Sequence, residues 1–523
     1  MQATHEFRDA DLRQVTESGR SIEEVRRQLH LFEHPPDSIH LERPCTPGDG
    51  IRVLTHGEVQ AAHQQWRVAC AAGRMLKFVP ASGAATRMFK SLLALRGAMP
   101  AEVHRDEVGE RAAGGDADAR DVLAFMEGLR RFAFFEDLAQ AMRADGLDAE
   151  ALAEQGRFGA IIDYLLEPKG LAYASLPKGL LAFHRYDGGR RTAFEEHLLE
   201  AAGYVRDERG LCRLHFTVSP QHRQRFEALL ERVRAACERD YDARFEVGFS
   251  VQKESTDTIA VDLDNRPVRN EDGSLLFRPG GHGALIENLN DLHADIISIK
   301  NIDNVLPDHL KPVVLEWKKV LAGYLAAVQQ TIFAHLAALT REPTAAAVVG
   351  AAERFARDAL GVALPATGAA AERRASALRL LNRPIRVCGM VRNTGDPGGG
   401  PFWVRDRDGR CSLQIVESAQ VRADSEEQRA IFAASTHFNP VDLLCGVRDW
   451  QGRQFDLTRY VDPDAVFIAR KSQDGRPLKA LELPGLWNGG MADWTTIFVE
   501  IPGSTFCPVK SITDLLRPEH QPE

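Results

Sequence analysis

The run from Phe277 to Asn304, F-R-P-G-G-H-G-A-L-I-E-N-L-N-D-L-H-A-D-I-I-S-I-K-N-I-D-N, constrains the fold more than any other stretch of this chain. Its glycine-rich loop, Pro279-Gly280-Gly281-His282-Gly283, opens a predicted helix, and the glycines let backbone approach a flat or phosphorylated ligand closely. The apolar run Ile296-Ile297-Ser298-Ile299 predicts a central strand of a parallel sheet, buried on both faces. Ligands of open α/β sheets bind beyond the carboxyl ends of the strands, where Asp303 falls. A carboxylate there is placed to hold Mg²⁺ against a ligand's phosphates.

Strand and helix alternate elsewhere too. Leu76 to Val79 reads as a strand running into the loop Pro80-Ala-Ser-Gly-Ala-Ala-Thr-Arg87 and a helix from Met88. Leu214 to Ser219, a helix after Pro220, and Phe245 to Gln252 continue the pattern, which predicts a doubly wound, mostly parallel α/β sheet. Four regions are expected. Residues 1–50 form an N-terminal helical region, helical over 9–35, with Ser21-Ile-Glu-Glu24 spaced as a capping box. Residues 51–343 form the α/β core, with a mostly polar helical insertion at about 98–170 and a long helix from about Pro307 to Leu339. Residues 344–383 read as a helical connector with a linker over 361–371, and 384–523 as a strand-rich part.

Composition narrows the function classes. A formal charge of −9 with short, interleaved basic clusters argues against nucleic acid as a partner. The eight scattered cysteines include no C-x-x-C, which disfavours zinc or a disulfide scaffold and suits a reducing compartment. The N-terminus has no apolar signal core, and no stretch reads as the ~20 apolar residues of a membrane span. The expectation is a cytoplasmic protein that does not contact membranes.

Five further motifs carry possible chemistry, each with a plainer alternative. In Ser82-Gly83-Ala-Ala-Thr86-Arg87, backbone N–H groups and the guanidinium suit phosphate; otherwise the segment is a tight turn with a solvated arginine. Lys178, in Leu176-Pro-Lys-Gly, is either a phosphate-binding point charge or a strand-entry lysine. Gln252 and Lys253 end a strand and suit a base edge and a phosphate, or form a hydrophilic loop. After the glycines of 393–400, Glu417 falls in Ile415-Val-Glu-Ser-Ala, which reads as a buried strand whose carboxylate needs a partner such as sugar hydroxyls. The last motif is Ser504-Thr-Phe-Cys-Pro-Val-Lys510-Ser-Ile-Thr-Asp514-Leu-Leu, with Cys507 read as an inert buried thiol.

In this order the set resembles the UDP-sugar pyrophosphorylases, the eukaryotic-type UTP–sugar-1-phosphate uridylyltransferases. The closing Ser-x-Phe-x-Pro-Val-Lys and Asp-Leu-Leu are its most specific match. Asn301-Ile-Asp-Asn304, the 279–283 loop, Ile415 to Val421 and His437-Phe-Asn439 also resemble segments of that family. The whole chain is similar as well to a related bacterial domain family of about this length. The resemblance implies a GT-A-like nucleotidyltransferase fold, with NTP and sugar 1-phosphate as partners and Mg²⁺ as cofactor. It assigns Arg87, Lys178 and Lys510 to the phosphates and Asp303 to the metal. It sets Ser82, Gly83, Thr86, Gln252, Gly281, His282 and Gly283 around the nucleotide, and Asn301, Glu417 and Asn439 on the sugar. Three positions depart from the family: Pro80-Ala-Ser82 replaces part of a glycine-rich loop, Ala284 stands where an acid is expected, and Val441 where an asparagine is. A nucleotide-sugar-dependent glycosyltransferase and a catalytically silent nucleotide-sugar sensor are the alternatives.

Overall fold

The computed structural model describes residues 7–99, 102–342, 345–362, 368–395, 398–406, 409–473 and 475–523. Parts of the expected 361–371 linker and of the glycine run 393–400 lie outside the described residues. Nine strands make the path of a central sheet: β1 (Thr46–Pro47), β2 (Gly50–Arg52), β3 (Met75–Pro80), β4 (Leu211–Thr217), β5 (Arg244–Ser250), β6 (Ile296–Lys300), β7 (Ile385–Arg392), β8 (Asp442–Gly446) and β9 (Thr495–Glu500). Their order is β1-β2-β9-β7-β8-β6-β3-β4-β5, with His437–Phe438 pairing off the path against β7. On that path only β8 runs antiparallel to its neighbours, β6 and β7. The chain is therefore a doubly wound α/β protein with a mostly parallel central sheet. Strands from residues after 384 interleave with those before 300, so the two halves share one sheet.

All five residues of β6 are buried, as its apolar run requires. Each isoleucine removed from water there contributes about 1.5–3 kcal/mol. Asn301 to Asn304 leave the carboxyl edge of the sheet between β3 and β8. The helices α1 (Ala193–Ala202) and α3 (Lys311–Arg341) are tied to β3, β6 and β8 by buried hydrogen bonds and ion pairs, while Asn288 of α2 (Leu285–Asn290) bonds Ser250 at the end of β5.

Three expectations need correction. Residues 9–35 are two helices, Asp9–Glu17 and Ile22–Glu33, because Gly19 turns left-handed (φ +74°) between them. Ser21 caps the second, accepting the N–H of Glu24 at 3.0 Å, a contact worth about 1 kcal/mol. The 98–170 segment is helical but far from polar: Phe125, Phe132, Phe134 and Phe158 are buried in the main core. Finally, among the described residues one helix, over Asp308–Arg341, contains an 18-residue stretch long and apolar enough to cross a membrane. More than half of that stretch is buried inside the protein, and Lys318 of the same helix pairs with Asp442, as suits a core helix.

Candidate active site

Four segments far apart in sequence meet at the carboxyl edge around Asp303. The Lys178 ammonium donates to Asp303 Oδ2 at 2.8 Å and to the Val509 carbonyl at 2.7 Å. The backbone N–H of Val509 donates in turn to the Asp303 carbonyl at 3.0 Å. The first loop joins through Ala85 N–H to Leu176 C=O at 3.0 Å, and Ile512 N–H reaches Met88 C=O at 3.0 Å. Lys178 and Asp303 are mostly enclosed, with 13% and 21% of their side chains exposed.

Lys510 follows Val509 directly. Its ammonium lies 5.8 Å from the centre of the Phe506 ring, and its backbone N–H donates to Asp514 Oδ2. Arg87 is exposed and makes no hydrogen bond or ion pair with the described residues, which leaves its guanidinium available to an anion. Thr86 donates its hydroxyl to Ala174 C=O at 3.3 Å, Ser82 is half-buried, and Gly83 faces open space.

A second cluster gathers the residues assigned to the sugar. Asn439 is buried; its N–H donates to Gly399 C=O at 2.7 Å, and its side-chain oxygen accepts the N–H of Val441 at 3.0 Å. A Cβ on Gly399 would meet Glu417 Cγ at 3.2 Å, so Glu417 and Asn439 flank the same glycine. Phe438 packs edge-on against Phe506 at 5.0 Å, linking this cluster to the segment that carries Lys510. Glu417 does not sit in a buried strand as expected: the strand ends at Val416, and Glu417 is half-buried at the start of a 3-10 turn. Asn301 is half-buried, and its carbonyl accepts the N–H of Asn304 at 3.3 Å.

The 279–283 loop is packed differently from the sequence expectation. A Cβ on Gly283 would lie 2.2 Å from the Pro484 carbonyl, and one on Gly280 2.7 Å from that of Thr256. The glycines there serve close packing of protein on protein. His282 accepts the Leu486 N–H at 3.1 Å and stacks on Trp487 at 4.5 Å. Burial pushes its imidazole pKa down, against the pull of the Glu417 and Glu482 carboxylates. Gln252 donates to Asp257 at 3.3 Å, while Lys253 is paired with Asp291 at 2.8 Å.

Two features had no place in the sequence reading. Asn488 is 3% exposed beside His282, and its Oδ1 has no hydrogen-bond partner; the glycine-rich Leu486-Trp-Asn-Gly-Gly run was its only signal. Behind the edge lies a buried charge network. Lys77 and Lys300 both donate to Glu200, and Lys318 pairs with Asp442. Desolvation holds the Lys77 ammonium down to about 7, and that of Lys300 below its ordinary value. Beside them, His197 is fully buried and donates its Nε2–H to the Ile302 carbonyl at 3.2 Å, next to Asp303. The lysines inside L-K-F-V and I-S-I-K were the legible hint.

Among the described residues, one grouping of three His or acidic donors lies close enough for a metal ion, His30, Glu33 and His34 at the C-terminal end of the second N-terminal helix. Among the described residues Asp303 belongs to no such grouping, and one of its carboxylate oxygens is held by Lys178. That suits a Mg²⁺ ion taking most of its ligands from phosphates and water. Two surface concavities, of about 460 and 680 Å³, are lined by none of the candidate residues.

Fold and edge define a doubly wound α/β protein in which Lys178 pairs with Asp303 where segments far apart in sequence meet. The chain belongs to the family described as Domain of unknown function (DUF4301), whose model matches residues 8–521. No curated protein matches the sequence significantly. Among solved structures, the chain is similar to a UDP-N-acetylglucosamine pyrophosphorylase from Trypanosoma brucei, with TM-score 0.45 and 12% identity over 94% of this chain and 74% of that one. It is similar to a UDP-glucose pyrophosphorylase variant from Leishmania major, with TM-score 0.44 and 13% identity over 97% and 77%. A UDP-glucose phosphorylase from Trypanosoma brucei gives TM-score 0.42 and 14% identity over 97% and 77%.

Proposed function

We propose that this protein is a nucleotidyltransferase that forms a nucleotide sugar and pyrophosphate from an NTP, with UTP favoured, and a sugar 1-phosphate. The observation that carries the reading is the junction of Lys178, Asp303 and Val509, the residue before Lys510, where motifs from three parts of the chain converge on one residue, Asp303. Turn formation and solvation, the plainer alternatives for each motif, give no reason for that convergence.

In this reading a phosphate oxygen of the sugar 1-phosphate bonds to the α-phosphorus, and the bond to the bridging oxygen breaks in line, releasing pyrophosphate. Such a step needs positioning and neutralised charge more than covalent help from the protein. Arg87 and Lys178 bind the departing pyrophosphate, Lys510 holds the attacking phosphate, and Asp303 is the residue that would hold Mg²⁺. When bound, the metal offsets negative charge on the phosphates. Glu417 and Asn439 face the sugar, while Gly83 leaves backbone room beside the nucleotide.

A second reading, a nucleotide-sugar sensor without turnover, draws on the ion pair itself, because Lys178 already neutralises Asp303. One assay separates the two. Purified protein is incubated with Mg²⁺, each NTP and a panel of sugar 1-phosphates, and pyrophosphate is measured. Release with at least one pair supports the transferase. Binding of nucleotide sugar with no release from any pair supports the sensor.

A further inference from the structure

The loop bearing Lys510 is closed at its base by a buried side-chain chain that the proposed chemistry does not use. Cys507 Sγ lies 3.3 Å from His520 Nε2, His520 Nδ1 lies 2.9 Å from His184 Nε2, and His184 Nδ1 lies 2.9 Å from Glu196 Oε1. None of the four residues is more than 7% exposed. Tyr186 donates its hydroxyl to Glu196 Oε1 at 2.7 Å, and the Lys311 ammonium bonds Glu196 Oε2. Lys311 also bonds Asp308, which Arg191 holds on its other oxygen. Asp514 and Arg517 are the charged groups that approach His520 from its own segment.

The first proton follows from the acceptor at one end: an ionised Glu196 can only accept, so His184 Nδ1 carries the hydrogen. His184 Nε2 and His520 Nδ1 share the next hydrogen, and His520 Nε2 meets Cys507, so both nitrogens of each ring are satisfied. His184 sits on the hairpin strand Ala182–Tyr186, shortly after Lys178. The His184–His520 bond therefore ties the hairpin next to Lys178 to the loop that carries Lys510.

We propose that His184 and His520 form a latch that sets the spacing of Lys178 and Lys510, and so act as positioning residues for the phosphates. The proposal rests on the phosphate-site reading above for its catalytic consequence, but the latch itself has a readout that needs no activity. Cys507 is shielded only while the loop is closed.

The test uses the full chain with the exposed Cys411 changed to Ser, and His520→Ala and His520→Asn made in that background. A thiol reagent followed by peptide mapping reads Cys507, and hydrogen exchange reads the amides of 507–512. In His520→Ala, Cys507 should label at least tenfold faster and those amides should exchange faster, while the circular dichroism spectrum is unchanged. Asparagine places an N–H near the position of Nδ1, so His520→Asn should keep amide protection close to that of the parent. Pyrophosphate release by His520→Ala should fall about tenfold, with partial recovery in His520→Asn. Slow labelling and full protection in His520→Ala would overturn the latch. Fast labelling in His520→Ala, where the parent with His520 intact shows no release with any substrate, would leave the latch standing and remove the transferase reading.

Discussion

Asp303 and Val509, 206 positions apart in the chain, are joined by a backbone hydrogen bond of 3.0 Å, and the Lys178 ammonium bridges the Asp303 side chain to the carbonyl of the same Val509. Changing Lys178 to Met keeps the aliphatic stem and removes the charge at this junction. Asp303 then loses its cation, so a modest loss of thermal stability is expected. Turnover should fall by about two to three orders of magnitude, the scale of one lost electrostatic contact in the transition state. Near-normal turnover would mean that the lysine serves only to neutralise Asp303.

Asp303→Ala should abolish both activity and its dependence on Mg²⁺. The change leaves the backbone bonds of Asp303 in place, so a folded protein is expected by circular dichroism. Activity close to that of the parent would remove Asp303 from the site.

Two glycine substitutions separate packing from ligand approach. Gly83 has open space around a built Cβ and needs no left-handed backbone, so Gly83→Ala should leave the denaturation midpoint unchanged while raising KM for the NTP. Gly283→Ala would drive a Cβ to 2.2 Å from the Pro484 carbonyl and should cost about 1–3 kcal/mol or more, read by chemical denaturation. Equal stability of the two variants would contradict this division.

Stability should fall as the solution is acidified below about pH 6.5. His197 and His520 are buried neutral; burial holds the first well below its ordinary value and the second down to about 3. The unfolded chain therefore binds protons near pH 6.5 that the folded chain refuses. Stability from these groups is complete above that pH and is lost as pH drops towards the folded values. Each group contributes at most about 1.4 kcal/mol per pH unit across that window. The urea midpoint should be lower at pH 5 than at pH 7.5, and an equal or higher midpoint at pH 5 would contradict the assignment.

The sheet was legible because three isoleucines mark β6, Ile296-Ile-Ser-Ile-Lys300, and a polar turn follows at once. The closing motif was legible by its resemblance to the closing segment of the UDP-sugar pyrophosphorylases, and the structure brings its Val509 to Asp303. Other features depend on tertiary partners that periodicity cannot show. Nothing in the sequence around Lys77 and Lys300 shows that both are spent on Glu200 in the core. The glycines of 279–283 signalled close approach correctly, but what approaches them is the backbone of residues 483–484. Glu417 looked like part of a strand because Ile415 and Val416 are apolar; the strand stops one residue short of it.

The most direct test of a single composite site is turnover in a Lys510→Met protein. Lys510 comes from the end of the chain, and its backbone contacts to Asp514 survive the substitution, so the fold should be retained. With the NTP and sugar 1-phosphate pair that gives the fastest pyrophosphate release, the account expects turnover to fall by about two to three orders of magnitude at unchanged thermal midpoint. Unchanged turnover in a folded Lys510→Met protein would place the C-terminal segment outside the chemistry and contradict the account.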